Sequence, residues 1–218
     1  MHRYFVTGTD TDVGKTRVTA ALARALRDAG TAPTIVKLVQ TGVPEGWPGD
    51  AARAAKLAGV PALELARFAA AADPWSAALA QSALPLRAAH LASALDALAS
   101  PLVVEGAGGL AVPINESETL ADVARLAALR AVLVVGLRIG CINHALLTIA
   151  YFEQTGIPVA GAVLVERFGS TGEEYHRDVA RAIRSALPVL GVMPYTADEA
   201  AGVAGGARLF TALLKGAA

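Results

Sequence analysis

GTDTDVGKT, residues Gly8–Thr16, joins the apolar run RYFVTG (Arg3–Gly8) to KTRVTAALARALRDA (Lys15–Ala29), where Val18, Leu22 and Leu26 recur on one helical face. Strand, glycine loop and helix in that order aim the backbone N–H groups of the helix start at an anion. Gly14, Lys15 and Thr16 complete a phosphate-binding loop, with an ammonium for the terminal phosphates and a hydroxyl for Mg²⁺. A lysine in a first turn opposes the helix dipole unless an anion visits. Five residues separate Gly8 from Gly14 where the common pattern has four, and two of them, Asp10 and Asp12, are acids beside the expected phosphate.

Outward from the loop, strand-like runs fall at Thr34–Val39, Pro101–Gly106, Ala131–Gly136, Val159–Val165 and Val189–Pro194. Helical patterns cover Asp50–Ala58, Leu86–Ala99, Thr119–Leu129, Asn143–Thr155, Glu173–Ala186 and Ala207–Lys215. The alternation predicts an α/β fold, a mostly parallel sheet with helices on both faces, as one P-loop domain over residues 1–218. The alanine-rich stretch ALELARFAAAADPWSAALAQSALP (Ala62–Pro85) reads as loop and short helices.

Composition narrows the function. Lys plus Arg and Asp plus Glu number 19 each, so no overall basic field gathers nucleic acid or anionic lipid. The most apolar stretch, Ala131–Leu137, is flanked by Arg130 and Arg138 and is far shorter than a membrane span. The first apolar run begins almost at once, which predicts no signal peptide, and a single cysteine, Cys141, excludes an intrachain disulfide. A cytoplasmic protein with small-molecule partners and a second copy of itself is expected.

In parallel α/β sheets, ligands gather at the carboxyl ends of the strands. There the sequence places Lys37 and Thr41, from KLVQTG, and Glu105, from VVEGAGG. A charge ending an apolar strand needs a partner. Ligand phosphate and metal would serve, and so would a buried ion pair between Lys37 and Glu105. Asp50 opens a helix, so it is either an N-cap or, with Thr16 and Glu105, part of an oxygen set suited to Mg²⁺. The four histidines show no metal-ligand spacing, and Cys141, just before a helix pattern, reads as a reactive or a buried thiol.

Five blocks together resemble dethiobiotin synthetases: YFVTGTDTDVGKT (Tyr4–Thr16), KLVQTG (Lys37–Gly42), Asp50, VVEGAGGLAVPI (Val103–Ile114) and VVGLRIGCINHALLT (Val134–Thr148). The resemblance implies an α/β P-loop homodimer that joins 7,8-diaminononanoate (7,8-diaminopelargonate) to CO₂ with MgATP, through a carbamate and its mixed anhydride with phosphate. It implies catalytic Lys15, Lys37 and Thr11, a Mg²⁺ set of Thr16, Asp50 and Glu105, and substrate contacts from Thr11, Lys37, Thr41, Cys141 and Asn143, the last toward a second subunit. Nucleotide contacts would come from Asp12, Val13, Gly14, Lys15, Thr16, Arg17, Asp50, Glu105, Gly106, Ala107, Gly108, Val165, Glu166, Pro194, Tyr195 and Thr196. On this reading the longer loop serves two ligands, with Thr11 and the carboxylates of Asp10 or Asp12 facing substrate amines.

The chain departs from that family at four places: Asp12 for the common Glu, Leu38 for Pro, Ala77-Ala78 for Pro-His, and Val165 for an Asn that reads adenine. The last implies a base held by packing and main chain around Pro194–Thr196, and so a relaxed base preference. Two other readings compete. A partitioning or switch ATPase usually carries an extra lysine early in the loop, where this chain has GTDTD, and an amidotransferase-type synthetase needs a glutaminase domain for which 218 residues leave little room.

Overall fold

The computed structural model describes residues 2–169 and 171–215. Its centre is a seven-stranded, wholly parallel sheet with strand order β4-β2-β6-β1-β7-β8-β9. The strands are β1 (Arg3–Gly8), β2 (Thr34–Lys37), β4 (Ala62–Glu64), β6 (Leu102–Gly109), β7 (Arg130–Gly136), β8 (Val159–Val165) and β9 (Val189–Met193). A second sheet pairs β3 (Gln40–Thr41) with β5 (Arg67–Phe68).

Strand alternation builds two cores. Tyr4, Val6, Ile35, Val103, Val132, Val134, Val163 and Val165 face α1 (Lys15–Asp28), α2 (Asp50–Ala58), α8 (Glu199–Ala207) and α9 (Thr211–Lys215). Phe5, Val36, Leu102, Val104, Leu133, Val135 and Leu164 face α3 (Pro74–Ala80), α4 (Ala88–Asp96), α5 (Leu120–Leu126), α6 (Cys141–Thr155) and α7 (Glu173–Arg184). With both faces covered, the strands are continuous apolar runs, as parallel sheets require.

Most expected elements form, and the first differences lie near the ends of β2 and β4. The run expected at Thr34–Val39 leaves the main sheet after Lys37, and Gln40–Thr41 join the small sheet. The alanine-rich stretch supplies β4, β5 and α3, and α8 was not anticipated. The last expected helix is divided into a 3₁₀ turn (Arg208–Phe210) and α9. No helix among the described residues is long and apolar enough to cross a membrane.

The same register prepares the site. Lys37 pairs with Glu105 and Glu105 with Val6 across three adjacent strands, and two-residue alternation puts Lys37 and Glu105 on the face of α1. The phosphate loop then settles onto the sheet end through Val13, which is buried against β7. A Cβ on Gly136 would lie 3.0 Å from Val13 Cβ and Cγ1, so the loop can rest there only above a glycine. Gly136→Ala is expected to cost about 1–3 kcal/mol through overpacking. Adding Val13→Ala should return part of that, as measured by denaturant unfolding.

Candidate active site

α1 starts at Gly14, whose left-handed backbone (φ 100°) suits glycine, and no side chain caps it. Its first-turn N–H groups are therefore available to an anion. Lys15 Nζ donates to Asp10 O at 2.9 Å, which folds the lysine back over the loop. Burial first, and then nearby Lys37, push the Lys15 ammonium down to about 8 despite Glu105, Asp50 and Asp12. A bound phosphate would relieve both effects.

The two loop aspartates are balanced by arginines from other elements. Asp10 Oδ1 accepts from Thr11 N at 2.7 Å, and Oδ2 accepts from Arg138 Nη2 at 2.6 Å. Asp12 has a positive φ of 58°, and Arg167 donates to its carbonyl. The expectation that Asp10 faces a substrate amine is thus corrected, because its carboxylate braces the loop against the turn before α6. Asp12 differs in that its side chain is 86% exposed and lines the cavity.

At the ends of β2 and β6, Lys37 Nζ lies 2.6 Å from Asp50 Oδ2, 2.8 Å from Glu105 Oε1 and 3.1 Å from Gly106 O. The Lys37 and Glu105 side chains are 4% and 1% exposed, and Asp50 is 37% exposed at the mouth. Burial would lower the Lys37 pKa, but the carboxylates of Glu105 and Asp50 raise it above the usual lysine value. Thr16 Oγ1 donates to Glu105 Oε1 at 3.0 Å. Glu105 Oε2 is buried without a hydrogen-bond partner, an acceptor that a bound cation would satisfy.

Two carboxylates and a hydroxyl fit Mg²⁺, which is commonly held by one or two carboxylates with substrate phosphates completing its shell. No group of three or more His, Cys, Asp or Glu able to hold a metal alone occurs among the described residues. These groups line a cavity of about 790 Å³ that also takes in Thr11, Arg17, Thr41, Ala107, Gly108, Tyr195 and Thr196.

Comparison with known proteins agrees with this site. The family model described as an AAA domain matches residues 2–201. The ATP-dependent dethiobiotin synthetase BioD of Rhodococcus jostii is 46% identical over 73% of this chain and 71% of its own length. BioD 1 of Escherichia coli is 36% identical over 97% of this chain and 99% of its own. The chain belongs to the dethiobiotin synthetase family.

In fold alone, this synthetase-family chain is similar to the cell division ATPase MinD of Pyrococcus furiosus (TM-score 0.61, 19% identity, 98% of this chain and 100% of that one). It is also similar to a ParA family ATPase of Chlorobium tepidum (TM-score 0.56, 11% identity, 98% and 93%).

The residues implied by the synthetase resemblance divide into those the fold brings together and those it does not. Pro194 lies beside the cavity, its carbonyl accepting from Arg17 Nη2 at 3.2 Å. Val13 and Gly106 sit beneath the loops and can offer only backbone to a ligand. Val165 is a correction: alternation along β8 turns it toward α1, where a Cβ on Gly14 would lie 2.8 Å from its Cγ1, so it supports the loop from behind. Glu166 is another, since its carboxylate accepts from Thr171 N and Oγ1 at 3.0 Å, outside the cavity. Cys141 is buried, with Sγ 3.5 Å from Tyr175 Oη, and Asn143 is exposed; neither lines this chain's cavity.

Sequence reading missed Arg53, Glu199 and Arg167, which line the cavity. Arg53 and Glu199 form an ion pair between α2 and α8, and a separation of 146 residues left no local pattern by which to find it.

Because burial and Lys37 push the Lys15 ammonium down to about 8, and a phosphate would hold it charged, nucleotide binding should take up a proton above that pH. MgATP affinity should therefore be flat below pH 7 and fall by up to about tenfold per pH unit above 8. Lys15→Arg should remove the inflection in a calorimetric pH series.

Proposed function

We propose that this chain forms dethiobiotin from 7,8-diaminononanoate, CO₂ and ATP. The observation that supports this best is one cavity lined together by phosphate-loop Thr11, Lys15 and Thr16 and by Lys37, Thr41, Asp50 and Glu105. Two ligands can meet end to end there at the γ-phosphate.

In the proposed sequence, one substrate amine adds to CO₂ and releases a proton, forming a carbamate. A carbamate oxygen displaces ADP from the γ-phosphorus, and the second amine attacks the carbonyl carbon, expelling phosphate and losing a proton as the ring closes. Lys15 holds the phosphates, and Lys37, kept fully charged by its carboxylates, stabilises charge on the carbamate and the transferring phosphoryl group. Thr11 and Thr41 would orient the diamine. Thr16, Asp50 and Glu105 would hold Mg²⁺, which offsets phosphate charge when bound.

We place the base near Tyr195 and Thr196, and the working protein in the cytoplasm, as a single-domain chain in a homodimer. Support for the dimer is that Asn143, implied in substrate binding, lies outside this chain's own cavity, while Ile139 and Leu147 flank it fully or largely exposed. A partitioning ATPase is the competing reading, since its class shares the fold. Fold alone does not assign function.

The deciding experiment is ring closure with labelled bicarbonate. A synthetase should release phosphate only with diamine and bicarbonate present, whereas steady hydrolysis without them would favour the switch. Lys37→Gln should lower kcat by about 10²-fold or more and leave MgATP binding within a few-fold. Mixed dimers of Asn143→Ala and Lys37→Gln subunits should recover part of the activity, because one of the two sites then keeps both residues.

A further inference from the structure

We propose that Arg67 is a positioning residue that fixes Asp50 against Lys37 by clamping the loop from Gly42 to Gly49. The inference rests on the role proposed above for Asp50. Arg67 Nε and Nη2 donate to Glu64 Oε2 and Oε1 at 2.8 and 2.9 Å, a two-pronged pair at the end of β4. Its remaining nitrogen, Nη1, donates to Pro44 O and Trp47 O, each at 3.0 Å. One guanidinium therefore ties two carbonyls of the loop to the edge of the sheet. Lysine, with a single nitrogen, cannot reproduce both halves of this contact.

The clamp leads directly to the cavity. Glu64 is the register neighbour of Lys37 on β4, and Arg67 is the register neighbour of Gln40 on β5. Gln40, itself buried, accepts from Asp50 N at 2.8 Å and donates to Thr41 O at 3.0 Å. Between these groups the backbone at Gly49 passes so closely that a Cβ would collide with Glu64 Oε1 and lie 2.7 Å from Gln40 Oε1 and 2.9 Å from Arg67 Nη2. Asp50 follows immediately, its Oδ2 2.6 Å from Lys37 Nζ. Thus a salt bridge made of residues that do not line the cavity sets where a site carboxylate stands. Outer partners of this kind typically change metal affinity or activity by 10- to 100-fold when removed.

The test is a cycle of wild type, Arg67→Met, Asp50→Asn and the double variant. Three quantities are read: the Mg²⁺ midpoint of diamine- and bicarbonate-dependent phosphate release, Mn²⁺ binding by electron paramagnetic resonance with a non-hydrolysable ATP analogue, and Tm. Arg67→Met should raise both metal midpoints by about tenfold, with the diamine KM moving less than about threefold. Arg67→Lys should recover only part of the loss. In the Asp50→Asn background, Arg67→Met should add less than about twofold. Independent, multiplicative effects would overturn the proposal, and so would a lowered Tm with both metal midpoints unmoved. If Asp50→Asn alone moves neither midpoint, the metal role of Asp50 fails; the same cycle on kcat then decides, coupling upholding the clamp and additivity overturning it.

Discussion

A lysine ammonium buried at the end of two adjacent strands and held between Asp50 and Glu105 is the constraint around which the site is built. An isolated charge at that depth would be too costly to keep, and removing Lys37 would leave the buried Glu105 carboxylate without its cation. The pairing therefore obliges three elements to converge: β2 carrying Lys37, β6 carrying Glu105 and the start of α2 carrying Asp50. Thr16 adds the phosphate loop to the same cluster through its hydroxyl. The cluster combines a fixed positive charge with oxygens that suit a divalent cation, and both are wanted where phosphoryl charge develops.

The long phosphate loop solves a related problem. Acids beside a phosphate would repel it, but Asp10 is neutralised by Arg138 and Arg167 anchors the backbone of Asp12. The two arginines come from the ends of β7 and β8, so the loop is braced by the strands on which its Val13 rests. Local strain at Asp12 is maintained by surroundings rather than by its own preference. So braced, the loop presents Thr11, Gly14, Lys15 and Thr16 to the cavity.

The likeness to MinD and ParA family ATPases is one of fold, shared at 19% and 11% identity, and it leaves function to the site. Beyond the shared fold, two features of the site stand out: no lysine precedes Gly14 in the loop, and Lys37 with its two carboxylates lines the same cavity as Lys15 and Thr16. The small β3–β5 sheet, a minor feature of the fold, provides the floor on which the Asp50 loop is clamped.

The sequence by itself determined the sheet, most flanking helices and several of the residues that the fold gathers around the cavity, because each has a local signal. Apolar runs mark buried parallel strands, Gly14-Lys15-Thr16 marks a helix start made for phosphate, and Lys37 and Glu105 stand out as charges ending apolar strands. The choice between ligand binding and a buried pair for those two was left open, since it depends on what lies opposite. Tertiary structure decided that they pair with each other and that Lys37 also pairs with Asp50. It also decided that Asp10 turns to Arg138, that Val165 supports Gly14, and that Glu64 and Arg67, lost among alanines in the sequence, hold the Asp50 loop. These outcomes follow from strand register and from contacts between residues far apart in the chain, and neither leaves a pattern in the local order of amino acids.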